Sequence, residues 1–249
     1  MEWCRKSYTF FKEQSADRAS GIRIIPLIKA AKAGAGDEDT WIQYMPANSL
    51  RELAGAELPQ GYAKAFEAQV PLIETQLFLP YLQQQLVDKG VSFVQREITD
   101  LDGISQEYDI VVNCTGLGAR ELCNDATIFA VKGQVALLEP GYPDHIFLDN
   151  QTPSYIVPRK DATIVGGTYE EHNYDAHTVE EDLQQVLAKA YHIMPALRER
   201  KIIGSWAGLR PFRQSVRLER ESNIIHNYGH GGSGFTLSFG CAEEVASLV

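Results

Sequence analysis

The sequence predicts a mixed α/β (α+β) fold made of two interleaved parts. Three observations predict it. Helical and strand-like segments alternate toward both ends of the chain, a run of short strands separated by turn residues fills the middle, and a glycine-rich loop joins a strand to a C-terminal helix.

The elements follow in order. Residues 7–14 read as a helix and residues 22–28, IRIIPLI, as a strand. Residues 30–39 are small and acidic and read as a loop; Gly34 and Gly36 there make no phosphate loop, because no helix opens behind them. Over 74–89 the spacing of Leu77, Phe78, Tyr81, Leu82 and Leu86 is helical, and Gly90 is a natural C-cap. Residues 91–95 read as a strand. So do residues 108–113, YDIVVN, whose apolar run predicts burial on both faces of a parallel sheet. A glycine turn, Cys114 to Gly118, follows. Residues 128–138, 145–148, 155–158 and 163–166 then read as consecutive antiparallel strands. Thr178 and Glu181 have capping-box spacing for a helix that ends near Met194-Pro195. Residues 224–227 form a last strand, and residues 237–249 a last helix.

Composition narrows the function. The 249 residues are 44% hydrophobic and 22% charged, enough for one large domain or two small interleaved ones. A net charge of −10 and a pI near 5.1 argue against a general nucleic-acid or membrane-surface binder. No apolar run approaches the roughly 20 residues that span a bilayer. The first ten residues carry Glu2, Arg5 and Lys6 and lack the apolar core of a signal peptide. Cys4, Cys114, Cys123 and Cys241 form no CxxC pair and read as reduced thiols of an intracellular protein.

The strongest local feature is Gly229-His230-Gly231-Gly232-Ser233-Gly234. It matches G-x-G-x-x-G in form, but no second strand or acidic ribose partner follows it, so it is not the dinucleotide fingerprint. It remains a glycine loop opening a helix, whose free N–H groups suit an electron-rich ligand; the alternative is a tight turn needing positive φ. Arg210, between Leu209 and Pro211, reads either as a clamp for a carboxylate or phosphate or as half of a structural ion pair. Arg213, Arg217 and Arg220 read as solvated or paired with Glu219 and Glu221. Tyr155 and Tyr169 sit at strand ends, where a hydroxyl can orient a small polar substrate or simply pack. No G-x-S-x-G or H-E-x-x-H occurs, and the six histidines lack metal-ligand spacing, so we expect no metal.

Seven segments occur in a telling order. They are Val111-Val112-Asn113-Cys114-Thr115-Gly116, Lys132-Gly133-Gln134, Tyr155-Ile156-Val157-Pro158-Arg159, Gly166-Gly167-Thr168, Gly208-Leu209-Arg210-Pro211-x-Arg213, Arg217-Leu218-Glu219 and His226-Asn227-Tyr228-Gly229-His230-Gly231-Gly232. Together they resemble the D-amino-acid oxidase family of FAD-dependent oxidoreductases, which also includes the D-aspartate oxidases. The resemblance is dense from Gln76 onward and thin before it. It implies that Arg210 clamps the substrate α-carboxylate, that Tyr155 and Tyr169 line the active site, and that the Gly232 carbonyl receives the substrate amine. It further implies that Gly231, Gly234, Phe235 and Thr236 surround the flavin ring, and that Ile98, Thr115 and Gly116 lie near the FAD pyrophosphate and ribose. In such a site hydride passes from the substrate Cα to the flavin. The imino acid hydrolyses to a 2-oxo acid and ammonia, and O2 is reduced to hydrogen peroxide. No side-chain base is required.

Three departures from the family pattern matter. D-aspartate oxidases carry an arginine directly after Gly-Gly-Thr; Tyr169 stands there, which favours a neutral D-amino acid, while Arg159 and Arg213 leave an acidic one open. In mammalian-type members a second tyrosine lies four residues before the first; Gln151 stands there. The family's opening strand, G-x-G-x-x-G turn, helix and second strand do not occur. The resemblance thus implies a truncated FAD-binding parallel-sheet domain interleaved with a mostly antiparallel-sheet substrate-binding domain. Residues 1–90 would be substrate-domain and linking segments, 91–125 and 204–249 parts of the FAD-binding domain, and 126–203 the substrate-binding sheet and helix. The expected partners are a D-amino acid and O2, with a homodimer as the assembly and neither nucleic acid nor membrane. The chain ends without Ser-Lys-Leu, which leaves cytoplasm or peroxisome open. The alternatives are a non-catalytic remnant acting as a binding module, or a D-aspartate- or glycine-oxidase-like enzyme.

Overall fold

The computed structural model describes residues 2–34, 49–149 and 154–249. Gly36 and Gln151 therefore lie outside the described residues, as does half of the loop expected over 30–39, whose Ala30 and Ala31 are in a strand.

The helices are α1 (Glu2–Gln14), α2 (Thr75–Asp88), α3 (Leu101–Ser105), α4 (Ala119–Leu122), α5 (Glu180–Ile193) and α6 (Gly234–Leu248). The strands are β1 (Ile22–Ala31), β2 (Leu50–Leu53), β3 (Lys64–Ile73), β4 (Val111–Asn113), β5 (Phe129–Leu138), β6 (Ile146–Asp149), β7 (Ser154–Pro158), β8 (Thr163–Gly166), β9 (Glu170–Glu171), β10 (Ile202–Glu221) and β11 (Ile224–His230). They form one sheet in the order β2-β3-β1-β6-β7-β8-β5-β10-β11-β4, with β9 beside β5. β1 runs parallel to β6 and β11 parallel to β4; the other pairs are antiparallel.

β10 is the spine. Its first half, from Ile202 to Phe212, pairs with β5. Its second half pairs with β11, after a register shift between Phe212 and Arg217. Arg210 sits just before that change of partner. α5 covers one face of the central strands, burying Val186, Leu187 and Ala190 against Ala136, Leu138, Ile156 and Val165. Each fully buried large aliphatic contributes about 1.5–3 kcal/mol relative to exposure.

The antiparallel middle of the sheet matches the sequence expectation, and several local readings change. Residues 91–95 are not a strand. Val91 N–H instead donates to Leu86 O at 3.0 Å, closing α2, and no described strand pairs with the segment. Only Val111–Asn113 of the next expected strand is extended. It pairs with β11 on one side and ends the sheet, so Val112 and Tyr108 are exposed, and it is not buried on both faces. The Thr178 capping box does not form. Val179 is the N-cap without a side-chain cap bond, and its N–H donates to Gln134 Oε1 at 2.5 Å. The last helix begins at Gly234, three residues earlier than expected.

α1 packs against the middle of α6. Phe10 stacks on Phe239 with ring centroids 3.4 Å apart, and Gly240 N–H donates to Ser7 Oγ at 3.0 Å. A Cβ on Gly240 would fall 2.2 Å from the Trp3 carbonyl oxygen. Backbone cannot yield as a side-chain tip can, so Gly240→Val forces the helices apart. We expect it to lower unfolding free energy by about 3 kcal/mol, read as a fall in Tm. No helix among the described residues is long and apolar enough to cross a membrane.

Candidate active site

The site forms where β7, β8, β5 and β10 lie side by side. Side chains alternate across a strand, so Gly133 of β5 and Arg210 of β10 share one face. Gly133 is what lets Arg210 lie flat on the sheet. A Cβ there would fall 2.1 Å from Arg210 Nη2 and 2.3 Å from Cζ. Arg210 Nη1 donates to the Thr168 carbonyl at 3.3 Å, and Thr168 Oγ1 accepts from Gln134 N–H at 3.0 Å. Gln134 also donates through Nε2 to Asp182 at 2.6 Å, tying the strand to α5. The Lys132-Gly133-Gln134 segment therefore seats the guanidinium and anchors what orients it. Glycines also receive Tyr155: a Cβ on Gly166 would meet its ring at 2.2 Å.

Arg210, Tyr155, Tyr169 and Gly232 all line one cleft of about 470 Å³, together with Phe212 and Lys29. The structure thus brings together the four residues the sequence assigned to substrate. Arg159 and Arg213 are elsewhere. Arg159 pairs with Asp161 and lies 3.9 Å from buried Glu74, lining a separate cleft with Arg23. Arg213 Nε is 2.9 Å from Asp125 Oδ2. Arg217 pairs with Glu219 and Glu221, each at 2.6 Å, as its surroundings in the sequence suggested.

A second cavity of about 340 Å³ lies beyond the glycine loop. Gly116, Gly229, Gly231 and Gly234 line it with Cys114, Asn227 and Cys241. Gly229 and Gly231 have φ of +88° and +54°, which a β-carbon would strain. The loop turns with positive φ, and it also lines a cavity. Gly232 and Ser233 face the first cleft while Gly231 and Gly234 face the second, so the loop is the wall between them. The first N–H groups of α6 open on this wall, where an electron-rich ligand group is favoured.

The other residues expected at a cofactor are more scattered. Phe235 lines a neighbouring apolar cleft with Phe78 and Leu82. Thr236 is exposed, and Ile98 lies in the irregular segment before α3. Neither of these two lines the described cavities. Thr115 donates its N–H and hydroxyl to Asn113 Oδ1, at 3.1 and 2.7 Å, which shapes the turn that puts Cys114 and Gly116 on the cavity.

Asn113 uses its whole hydrogen-bonding capacity. Its amide nitrogen donates to Cys123 Sγ at 3.1 Å and approaches His226 Nδ1 at 3.2 Å. Burial, with Arg217 nearby, pushes the His226 pKa below its ordinary value. Neutral His226 then accepts at Nδ1 and donates from Nε2 to Glu221 at 3.3 Å. Burial pushes the Cys114 thiol up, and that of Cys241 up to about 11 with Glu244 adding to it, so both are protonated at neutral pH. No group of three or more potential metal ligands occurs among the described residues.

The sequence did not single out Asn227, or the roles of Gly133, Thr168 and Lys29. One signal was available for Gly133: a glycine between two polar residues in an otherwise apolar strand marks a close approach by another group.

Arg210 lines a cleft on one side of a glycine wall, and a second cavity lies on the other. Comparison with known proteins gives the cofactor. A family model described as FAD dependent oxidoreductase (DAO) matches residues 3–248, and the chain belongs to that family. Relatives include a D-amino-acid oxidase of Rubrobacter xylanophilus, 34% identical over 100% of this chain and 78% of the relative. One of Dugesia ryukyuensis is 38% identical over 100% and 79%. The human D-aspartate oxidase is 33% identical over 71% and 54%. Among solved structures, glycine oxidase from Geobacillus kaustophilus superposes with a TM-score of 0.79 at 19% identity, over 97% of this chain and 74% of that one. L-proline dehydrogenase from P. horikoshii gives 0.79 at 16%, over 99% and 78%. At such identities these structures speak for the fold alone.

The residues present fit FAD. The second cavity is walled by glycines and carries a buried acceptor, Asn227 Oδ1, that no protein group satisfies. The Cys114–Gly116 turn and the loop at Gly231 to Gly234 would hold the group.

Proposed function

We propose that this chain catalyses the FAD-dependent oxidative deamination of a neutral D-amino acid, giving a 2-oxo acid, ammonia and hydrogen peroxide. One observation carries the reading: a guanidinium seated on Gly133 shares a cleft with Tyr155 and Tyr169, one glycine wall away from the cofactor cavity. FAD, when bound, supplies the hydride acceptor. The protein's part is to bind and aim. Arg210 takes the α-carboxylate as a bidentate pair. The Tyr155 hydroxyl donates to the same carboxylate, and the Gly232 carbonyl accepts from the amine. Holding the carboxylate and the amine leaves the glycine wall to decide which of the Cα–H and the side chain faces it, and no side chain has to move a proton if the amine binds neutral.

The neutral-substrate reading rests on Tyr169, and on Arg159 and Arg213 being held by Asp161, Glu74 and Asp125. The relatives named D-amino-acid oxidase cover this whole chain, whereas the human D-aspartate oxidase matches 71% of it. Four free thiols fit a reducing compartment, cytoplasm or peroxisome.

Peroxide and 2-oxo acid, measured together with FAD present, test the reading. D-alanine should be turned over with kcat/KM at least about tenfold above D-aspartate; the reverse order would overturn the neutral assignment. Tyr155→Phe should raise KM about 10- to 100-fold, the worth of one hydrogen bond to a charged group. Unchanged KM would remove Tyr155 from the carboxylate.

A further inference from the structure

Asn227 stands on β11 between two side chains that face the other way. His226 turns into the Asn113–Cys123 cluster, and the Tyr228 hydroxyl reaches Asp125 at 2.9 Å. Strand alternation puts Asn227 on the opposite face, where it lines the second cavity. Its side chain lies beside Cys114, which lines the same cavity. The oxygen, Oδ1, is buried and has no hydrogen-bond partner. Folding has thus placed a residue with an unsatisfied buried acceptor against a cavity that four glycines also line.

We propose that Asn227 is a cofactor-binding residue whose Oδ1 accepts a hydrogen bond from a hydroxyl or ring N–H of the bound flavin nucleotide. An acceptor needs a donor, and an ionised phosphate offers none. The part of the cofactor against Asn227 is therefore a sugar-like chain or the heterocycle, not the pyrophosphate. This rests on the reading of the second cavity as the FAD site.

FAD titration of the full chain, followed by flavin fluorescence, tests it, with Tm of the FAD-free protein measured alongside. Asn227→Leu removes the acceptor at similar size. Its Kd for FAD should rise about 10- to 100-fold, while the FAD-free Tm stays level or rises, because an unsatisfied polar atom is gone. Asn227→Asp keeps an acceptor at the same place, so it should weaken binding less than leucine does. Riboflavin and ADP as separate probes locate the donor: the leucine variant should lose affinity for one of the two. Unchanged FAD affinity in Asn227→Leu would overturn the proposal. So would equal losses in both variants accompanied by a lower FAD-free Tm, which is the mark of a structural role. A wild-type chain that binds no FAD would instead overturn the reading of the cavity itself.

Discussion

Arg210→Met should lower kcat/KM for a D-amino acid about 10²- to 10³-fold, with the rise in KM carrying most of it. Removing one partner of a desolvated, hydrogen-bonded charge pair costs about 3–4 kcal/mol, and each 1.4 kcal/mol is a factor of ten. Methionine keeps an unbranched apolar stem, so the fold should persist. Arg210→Lys restores charge but not the two-pronged fork, and should recover only part of the loss. Gly133→Ala separates geometry from charge. Its Cβ would sit 2.1 Å from Arg210 Nη2 and would push the guanidinium off the sheet, although every charge is retained. Alanine suits a strand at least as well as glycine. Substrate affinity should therefore fall while Tm holds within a few degrees. If Gly133→Ala keeps its affinity, the seat is not what places the clamp.

Asp125→Ala should be the most destabilising polar substitution in the molecule. Asp125 Oδ2 accepts from Arg213 Nε and from the Tyr228 hydroxyl, both at 2.9 Å, and Oδ1 accepts from the Thr127 N–H at 3.0 Å. Its side chain is only 8% exposed. Burial alone would raise its pKa; the hydrogen bonds from Thr127, Tyr228 and Arg213 outweigh burial and hold the carboxyl well below the usual carboxylate range. Burial and Asp125 raise Tyr228 to about 12, so its hydroxyl keeps its proton and donates. Deleting the carboxylate strands a part-buried arginine and a buried hydroxyl, at about 3–5 kcal/mol. The pH dependence has a definite sign. A depressed carboxylate binds fewer protons folded than unfolded, so its contribution is fully present above the unfolded value near 3.9 and is lost as pH falls below it. Urea midpoints should show the full gap between wild type and Asp125→Ala at pH 7, narrowing steadily below pH ~4. An equal gap at pH 7 and pH 3 would mean that the carboxylate's charge is not what the network uses.

Much of the site was legible because its residues carry chemistry in their type. A guanidinium between apolar neighbours, tyrosines at strand ends and a glycine loop before a helix are local facts. The structure gathers Arg210, Tyr155, Tyr169 and Gly232 into one cleft. What stayed hidden depends on partners far along the chain. β10 has no clean alternation, because Gly208 lies under the Trp206 indole and the strand changes partner midway. β3 pairs with β1 but drew no reading from the sequence, since its own pattern, KAFEAQVPLI, places Pro71 and Glu67 among apolar residues. Residues 91–95 have the local look of a strand, but a strand exists only where another pairs with it. Ile98, Phe235 and Thr236 followed from motif position, and position does not say which cavity a side chain reaches. Asn227 could not be seen at all, because an unsatisfied acceptor is a property of the fold.

The most direct test of the account is peroxide release from matched D- and L-alanine by the FAD-supplemented chain. On the proposed reading, a clamp at Arg210, a carbonyl at Gly232 and a wall at the glycine loop would accept one hand of the substrate, with its Cα–H toward the second cavity. Peroxide from D-alanine in step with pyruvate, and none from the L-enantiomer, is the predicted result. A folded, FAD-loaded chain that releases peroxide from neither enantiomer, or equally from both, would contradict it.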